Sequence, residues 1–221
     1  MPAAEHAGRA GSLRQGSGLK AVTRGSAILW TWAASIVLVW IAVAVDLGQP
    51  LWARQHSIDL TAYGAFEGRT LTVEHGWKLL ASQWLHVKFP HMLFNAAIIG
   101  LVGAALTRRM NWPSVLALGL IGGACGQLAS ALAQPQAYVS GASQAYLALC
   151  ATALFVLDRR SVGWWSAVVG VLVSVALDLF VSGHEGVKPG HIVPFVIGLI
   201  VGGGFLLLDR HRPDGAVLRR T

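Results

Sequence analysis

Charge is what this chain has least of. Only 12% of its 221 residues are Asp, Glu, Lys or Arg, about half the share of a soluble domain. A disordered chain, a coiled coil and most soluble enzymes all need a larger charged surface, so the composition excludes them. Cysteine is nearly absent. Cys125 and Cys150 both sit in apolar runs, which fits buried small hydrophobes and not a disulfide framework or metal site. There is no Walker A loop, and His184-Glu185 lacks the second His of a zinc-protease helix. No paired intramembrane aspartates and no transporter-type internal repeat are present. Acidic residues number ten against seventeen basic, a net charge of +7. In a chain this apolar the excess fits basic cytoplasmic loops, and nucleic-acid binding is not expected. What is abundant is hydrophobic: 54% of residues, with 26 glycines and nine tryptophans. The composition is that of a polytopic membrane protein.

Apolar runs of about 20 residues mark membrane-spanning helices. Six are expected: Ala27–Val45, Pro90–Leu106, Pro113–Ala133, Ala142–Leu157, Val162–Val181 and His191–Leu208. The fold class is therefore all-α, a six-helix membrane domain over residues 27–208. Residues 1–26 and 209–221 form short polar tails, and 46–89 form one long external loop, partly in the membrane interface. Arg9, Arg14, Lys20, Arg24, Arg108, Arg109, Arg159, Arg160, Arg210, Arg212, Arg219 and Arg220 fall on one side of this map. Arg54, Arg69, Lys78, Lys88 and Lys188 fall on the other. The asymmetry puts both termini in the cytoplasm. Ala42-Val43-Ala44 resembles a signal-peptide cleavage site, but the run before it is longer than a usual signal core. Glu5 argues against a transit peptide.

Polar residues inside spans are costly and mark function by default. Here they share one depth. His91, Asn95, Ser143, Gln144, Tyr146 and His191 open spans that begin outside. Gln127 and Asp178 lie late in spans that end outside. A single polar cavity open to the external face would collect them. His91 and Asn95 are four apart, on one helix face. Each also has a plainer reading, as an interfacial His and a packing Asn. Ser143 reads as a helix N-cap or a nucleophile, and His191 as interfacial or as the general base such a serine needs. Donors for an oxyanion are at hand in His91, Asn95 and the Ser143 N–H. Asp178 reads as a near-interface acid, with a third catalytic member as the alternative. Span four from Ser143 is only about 22 Å long against a core of about 30 Å. The loop before it must dip into the membrane, which is tolerated only beside protein or water. Gly119-xxx-Gly123, Gly122-xxx-Gly126, Gly141-xxx-Ala145 and Gly198-xxx-Gly202 permit close helix approach.

Together these residues resemble the rhomboid intramembrane serine proteases, in their six-span bacterial form, over about Trp77 to Gly202. Trp77-Lys78, His86 and His91-xxx-Asn95 are similar to the family's first loop and second span, with Lys78 where Arg is usual. Gly141-Ala142-Ser143 resembles the G-x-S nucleophile motif, with Gln144 where Gly is common. His191 and Gly198 resemble the last-span signature, with Pro194 at its first Gly position. The resemblance implies Ser143 as nucleophile, His191 as general base, and an oxyanion hole of His91, Asn95 and the Ser143 N–H. His86 would be structural, Gln144 would line the cavity, and Gln144 and Pro194 would alter packing between spans four and six. No metal or organic cofactor is implied. The partners would be a transmembrane protein substrate, admitted between spans two and five, and the lipid bilayer. The implied setting is a bacterial inner membrane, with the site facing outward. Rival readings are an inactive rhomboid-like protein that binds membrane clients, a peptidase dedicated to C-terminal sorting tails, and a small transporter or channel.

Overall fold

The computed structural model describes residues 3–181 and 186–211, with side chains for 23–181, 186–209 and 211. His184-Glu185 lies outside the described residues. So do the side chains of Glu5, Arg9, Arg14, Lys20, Arg210, Arg212, Arg219 and Arg220. Helices are α1 (Ala3–Asp46), α2 (Lys78–Ala81), α3 (Phe89–Leu106), α4 (Trp112–Ala133), α5 (Ser143–Val156), α6 (Val162–Phe180) and α7 (Pro189–Arg210). The six expected apolar segments correspond to α1 and α3 to α7. For α3 to α7 every end lies within two residues of the sequence reading. Only α1 departs, its helix beginning at Ala3, well before the apolar run, which occupies Thr23–Asp46.

Local chemistry sets the helix starts. Pro90, Pro113 and Pro189 occupy first-turn positions of α3, α4 and α7, where a missing N–H costs nothing and φ is already helical. Asn111 caps α4 by accepting from the Ser114 N–H at 2.9 Å, and Ser161 caps α6 by accepting from the Trp164 N–H at 3.2 Å. Each cap satisfies a donor that the helix itself cannot.

Among the described residues five helices are long and apolar enough to cross a membrane; α5 is not. Its 14 residues rise only about 21 Å. It sits at the centre instead, with every residue buried except Leu154 and Phe155. Lipid tails are as apolar as leucine, so helices here associate through close packing and interhelical hydrogen bonds. The sequence of α5 suits that. Ala148 and Ala151 face Gly198 of α7 so tightly that a Cβ at Gly198 would lie 2.7 Å from the Ala151 Cβ. Gly122 of α4 approaches Ala148 from another side, its would-be Cβ 2.6 Å away. Thr152 Oγ1 donates to the Gly198 carbonyl at 2.9 Å. The small-residue pairs thus draw α4 and α7 onto the short helix, and α3 and α6 close the remaining sides.

The external loop between α1 and α3 is folded, not slack. It carries three short 3₁₀ helices, α2 and the two-residue strand β1 (Phe66–Glu67). Strand β1 pairs antiparallel with β2 (Tyr138–Val139), just ahead of α5. This ribbon is the one departure from all-helical architecture among the described residues. It matters because it ties the first loop to the segment that delivers Ser143.

Candidate functional site

The irregular backbone before α5 needs partners outside its own segment, and one backbone carbonyl and two side chains supply them. The Gly141 N–H donates to the Ser82 carbonyl at 2.9 Å, and Gln127 Nε2 of α4 donates to the Gly141 carbonyl at 2.9 Å. The Ala142 N–H donates to His86 Nε2 at 3.2 Å. Gly141 has φ +108°, a left-handed conformation that favours glycine. The turn leaves Ser143 as the first residue of α5. Its N–H has no carbonyl to reach within its own helix.

Ser143 Oγ lies 2.9 Å from Nε2 of His191, in the first turn of α7. Close packing at Gly198 sets this distance, since α5 and α7 approach in register from that point. Nδ1 of the same imidazole is 2.6 Å from Asp178 Oδ2, near the C-terminal end of α6. An ionised carboxylate only accepts, so Nδ1 carries the proton and Nε2 presents its lone pair to the serine hydroxyl. Ser174, one turn earlier on α6, places its Oγ 3.3 Å from Nδ1. Asp178 also accepts from the Lys188 N–H at 3.1 Å and pairs with Lys188 Nζ at 3.6 Å. The carboxylate is 1% exposed and His191 11%.

His91, Asn95 and His86 form a second polar row behind the serine. Asn95 Nδ2 is 2.8 Å from His86 Nε2 and 3.3 Å from His91 Nε2. His86 Nε2 already accepts from Ala142, so it also accepts from Asn95, and His86 Nδ1–H donates to the Trp84 carbonyl at 3.3 Å. This ring must stay neutral to hold the turn. Burial chiefly, helped by nearby His91, pushes its pKa down to about 3. Asn95 is fully buried. It stands behind His91 and not on the open cavity, and it orients both imidazoles.

Two cavities meet here. One of about 250 Å³ holds Ser143, Gln144, His191, Asp178, Ser174 and His91. The other, about 600 Å³, lies between Pro90 and Phe94 of α3 and Val173 and Leu177 of α6. They share His91, Ser140, Leu177 and Lys188. Gln144 lines the smaller cavity, and its Oε1 lies 3.1 Å from Ser143 Oγ. Its Cβ and Cγ pack on Gly126 of α4. Pro194 faces Gly122 of α4, so both departures bear on the α4 side as well as between α5 and α7. Trp77 and Lys78 are not in the site. Trp77 packs over Gly64 and Lys78 Nζ sits 5.9 Å above the Trp77 ring, within the first loop. Among the described residues no group of three His, Cys, Asp or Glu side chains converges as a metal-ligand set. The sequence reading gave Asp178 chiefly as a near-interface acid and passed over Ser174 and the Lys188 backbone. The available signal was Ser174-xxx-Asp178, two polar residues one turn apart in an apolar span.

A family model described as Rhomboid domain matches residues 73–208. RHOMBOID-like protein 7 of Arabidopsis thaliana is 30% identical over 148 residues, covering 64% of this chain and 46% of the relative. RHOMBOID-like protein 4 of the same plant is 31% identical over 144 residues, covering 62% and 35%. RHOMBOID-like protein 2 is 30% identical over 162 residues, covering 70% and 50%. The chain spans half or less of the length of these curated relatives.

Proposed function

The chain belongs to the rhomboid family, an integral membrane protein of all-helical bundle type, and on that premise we propose that it is a serine endopeptidase cleaving transmembrane proteins within the bilayer. The observation that carries the proposal is the 2.9 Å contact of Ser143 Oγ with His191 Nε2 inside a polar cavity.

Ser143 Oγ attacks the carbonyl carbon of the scissile peptide while its proton passes to His191 Nε2. The C=O oxygen becomes an oxyanion. The Ser143 N–H and the His91 imidazole are its donors, with Asn95 holding His91 in place. The positive N-terminal ends of α5 and α7 favour that charge. The C–N bond then breaks and His191 returns its proton to the leaving amine. Water adds to the acyl-enzyme with His191 again taking the proton, and as the Ser143 ester bond breaks His191 returns that proton to Ser143 Oγ. The cavity between α3 and α6 supports access for a substrate helix from that side. The helix must unwind locally, because helical carbonyls are hydrogen-bonded, so small or helix-breaking residues near the cut are favoured. The distribution of basic residues supports cytoplasmic termini and a site on the outer side. A bacterial inner membrane is proposed on the six-span resemblance alone.

The test is purified protein with a transmembrane substrate, wild type beside Ser143→Ala. Cleavage lost in the folded variant supports the proposal; cleavage retained overturns it. Gln144 favours one second reading, a rhomboid-like binder without activity, because its carbonyl competes with His191 for the serine proton. That reading requires no Ser143-dependent labelling by a fluorophosphonate.

A further inference from the structure

A buried carboxylate needs a reason. Asp178 sits in the last turn of α6, where the helix dipole disfavours negative charge. It is 1% exposed. An acid placed there is costly unless its partners are charged or aimed at it. Three of its partners lie on or beside the start of α7: the His191 Nδ1–H at 2.6 Å, the Lys188 N–H at 3.1 Å and Lys188 Nζ at 3.6 Å. The shortest of these falls on the ring whose other nitrogen meets the serine.

Resting on the dyad proposed above, we infer that Asp178 is a positioning residue that completes a Ser143–His191–Asp178 triad. The carboxylate fixes the Nδ1–H tautomer, so that Nε2 always offers a lone pair to Ser143. It also faces the imidazolium that forms when the serine proton transfers, and the proton on Nδ1 stays there throughout. Ser174 offers a weaker, 3.3 Å partner to the same nitrogen and does not replace the charge. Lys188 holds the carboxylate in place, its N–H on Oδ2 beside the ring and its Nζ on Oδ1.

A merely structural reading has Asp178 anchoring the start of α7 through Lys188. Asp178→Asn separates the two. Its amide oxygen still accepts from the Lys188 N–H, but the charge facing His191 is gone. The inference predicts that kcat on a transmembrane substrate falls about 10²- to 10⁴-fold with KM changed less than about threefold, as for loss of the acid's charge in a triad. The rate of Ser143 labelling by a fluorophosphonate falls with it, and Asp178→Glu recovers part of both. The inference is overturned if Asp178→Asn labels at the wild-type rate, or if its loss is in KM alone. Should Asp178→Asn not fold, nitrogen-15 NMR of histidine-labelled wild type decides, with His191→Gln assigning the signal. A low-field proton on His191 Nδ1 is expected; a proton on Nε2 instead rejects the triad. Wild type that folds but shows no Ser143-dependent labelling sinks the dyad and this inference together. Wild type that labels beside an equally reactive Asp178→Asn sinks the triad alone.

Discussion

The serine proton has two acceptors within reach, His191 Nε2 at 2.9 Å and Gln144 Oε1 at 3.1 Å. Only the first leads to attack. Gln144→Ala keeps a Cβ against Gly126 and removes the competing carbonyl, so it is expected to label with fluorophosphonate severalfold faster than wild type. An unchanged or slower rate would show that Gln144 does not divert the hydroxyl. His86 carries a different prediction. Its folded-state pKa, about 3, is below the ordinary 6.5, so the unfolded chain binds more protons between those values. Its stabilisation is therefore complete above about pH 6.5 and is lost progressively as pH falls toward 3. Thermal unfolding in detergent is expected at lower temperature at pH 4.5 than at pH 7.5. The difference should shrink in His86→Gln, which keeps an acceptor but does not titrate; an equal difference in both would remove His86 as the cause. At this scale the sequence was partly legible. Ser143, His191, His91 and Asn95 could be gathered because each opens or lines a span at one depth. The link between Asn95 and His86 was not legible, because it crosses from a helix to a loop. The contact of Asp178 with His191 was not legible for a similar reason. The acid's partner lies on the next helix, and helical periodicity within α6 says nothing about what faces it.

At the scale of elements, the site depends on how closely α5 and α7 approach. Gly198 has no room for a side chain, with a would-be Cβ 2.7 Å from Ala151. Gly198→Val is expected to destabilise the bundle by about 1–3 kcal/mol from overpacking. It should also separate Ser143 from His191, abolishing labelling. Thr152→Val removes only the hydroxyl bonded to Gly198, and interhelical hydrogen bonds in membranes average about 0.6 kcal/mol. Its melting temperature should therefore fall far less. Equal losses in the two variants, measured by thermal unfolding in one detergent, would contradict the primacy of packing over hydrogen bonding. The helix bounds were legible to within two residues for α3 to α7, because hydropathy marks both ends and a proline or capping residue marks the start of α3, α4, α6 and α7. The shortness of α5 was legible too. Its central position was not, since burial on all sides and exposure to lipid select the same apolar residues.

For the whole molecule, the candidate site lies at one end of the bundle. The starts of α3, α5 and α7 and the end of α6 converge there, and the folded loop before α3 covers it from the side of α1. The opposite connections carry Arg108, Arg109, Arg159 and Arg160. The charge asymmetry makes this a statement about sidedness. A cysteine at Val73, which is 99% exposed, should react with a membrane-impermeant maleimide from outside intact cells, while one at Arg109 should not; the reverse pattern would invert the topology. The central claim remains that Ser143 and His191 act as nucleophile and base. The most direct measurement compares wild type, Ser143→Ala and His191→Ala in liposomes for fluorophosphonate labelling and for cleavage of a transmembrane substrate. The account predicts labelling and cleavage in wild type alone, with all three proteins folded. Cleavage persisting in Ser143→Ala, or folded wild type that neither labels nor cleaves, would contradict it.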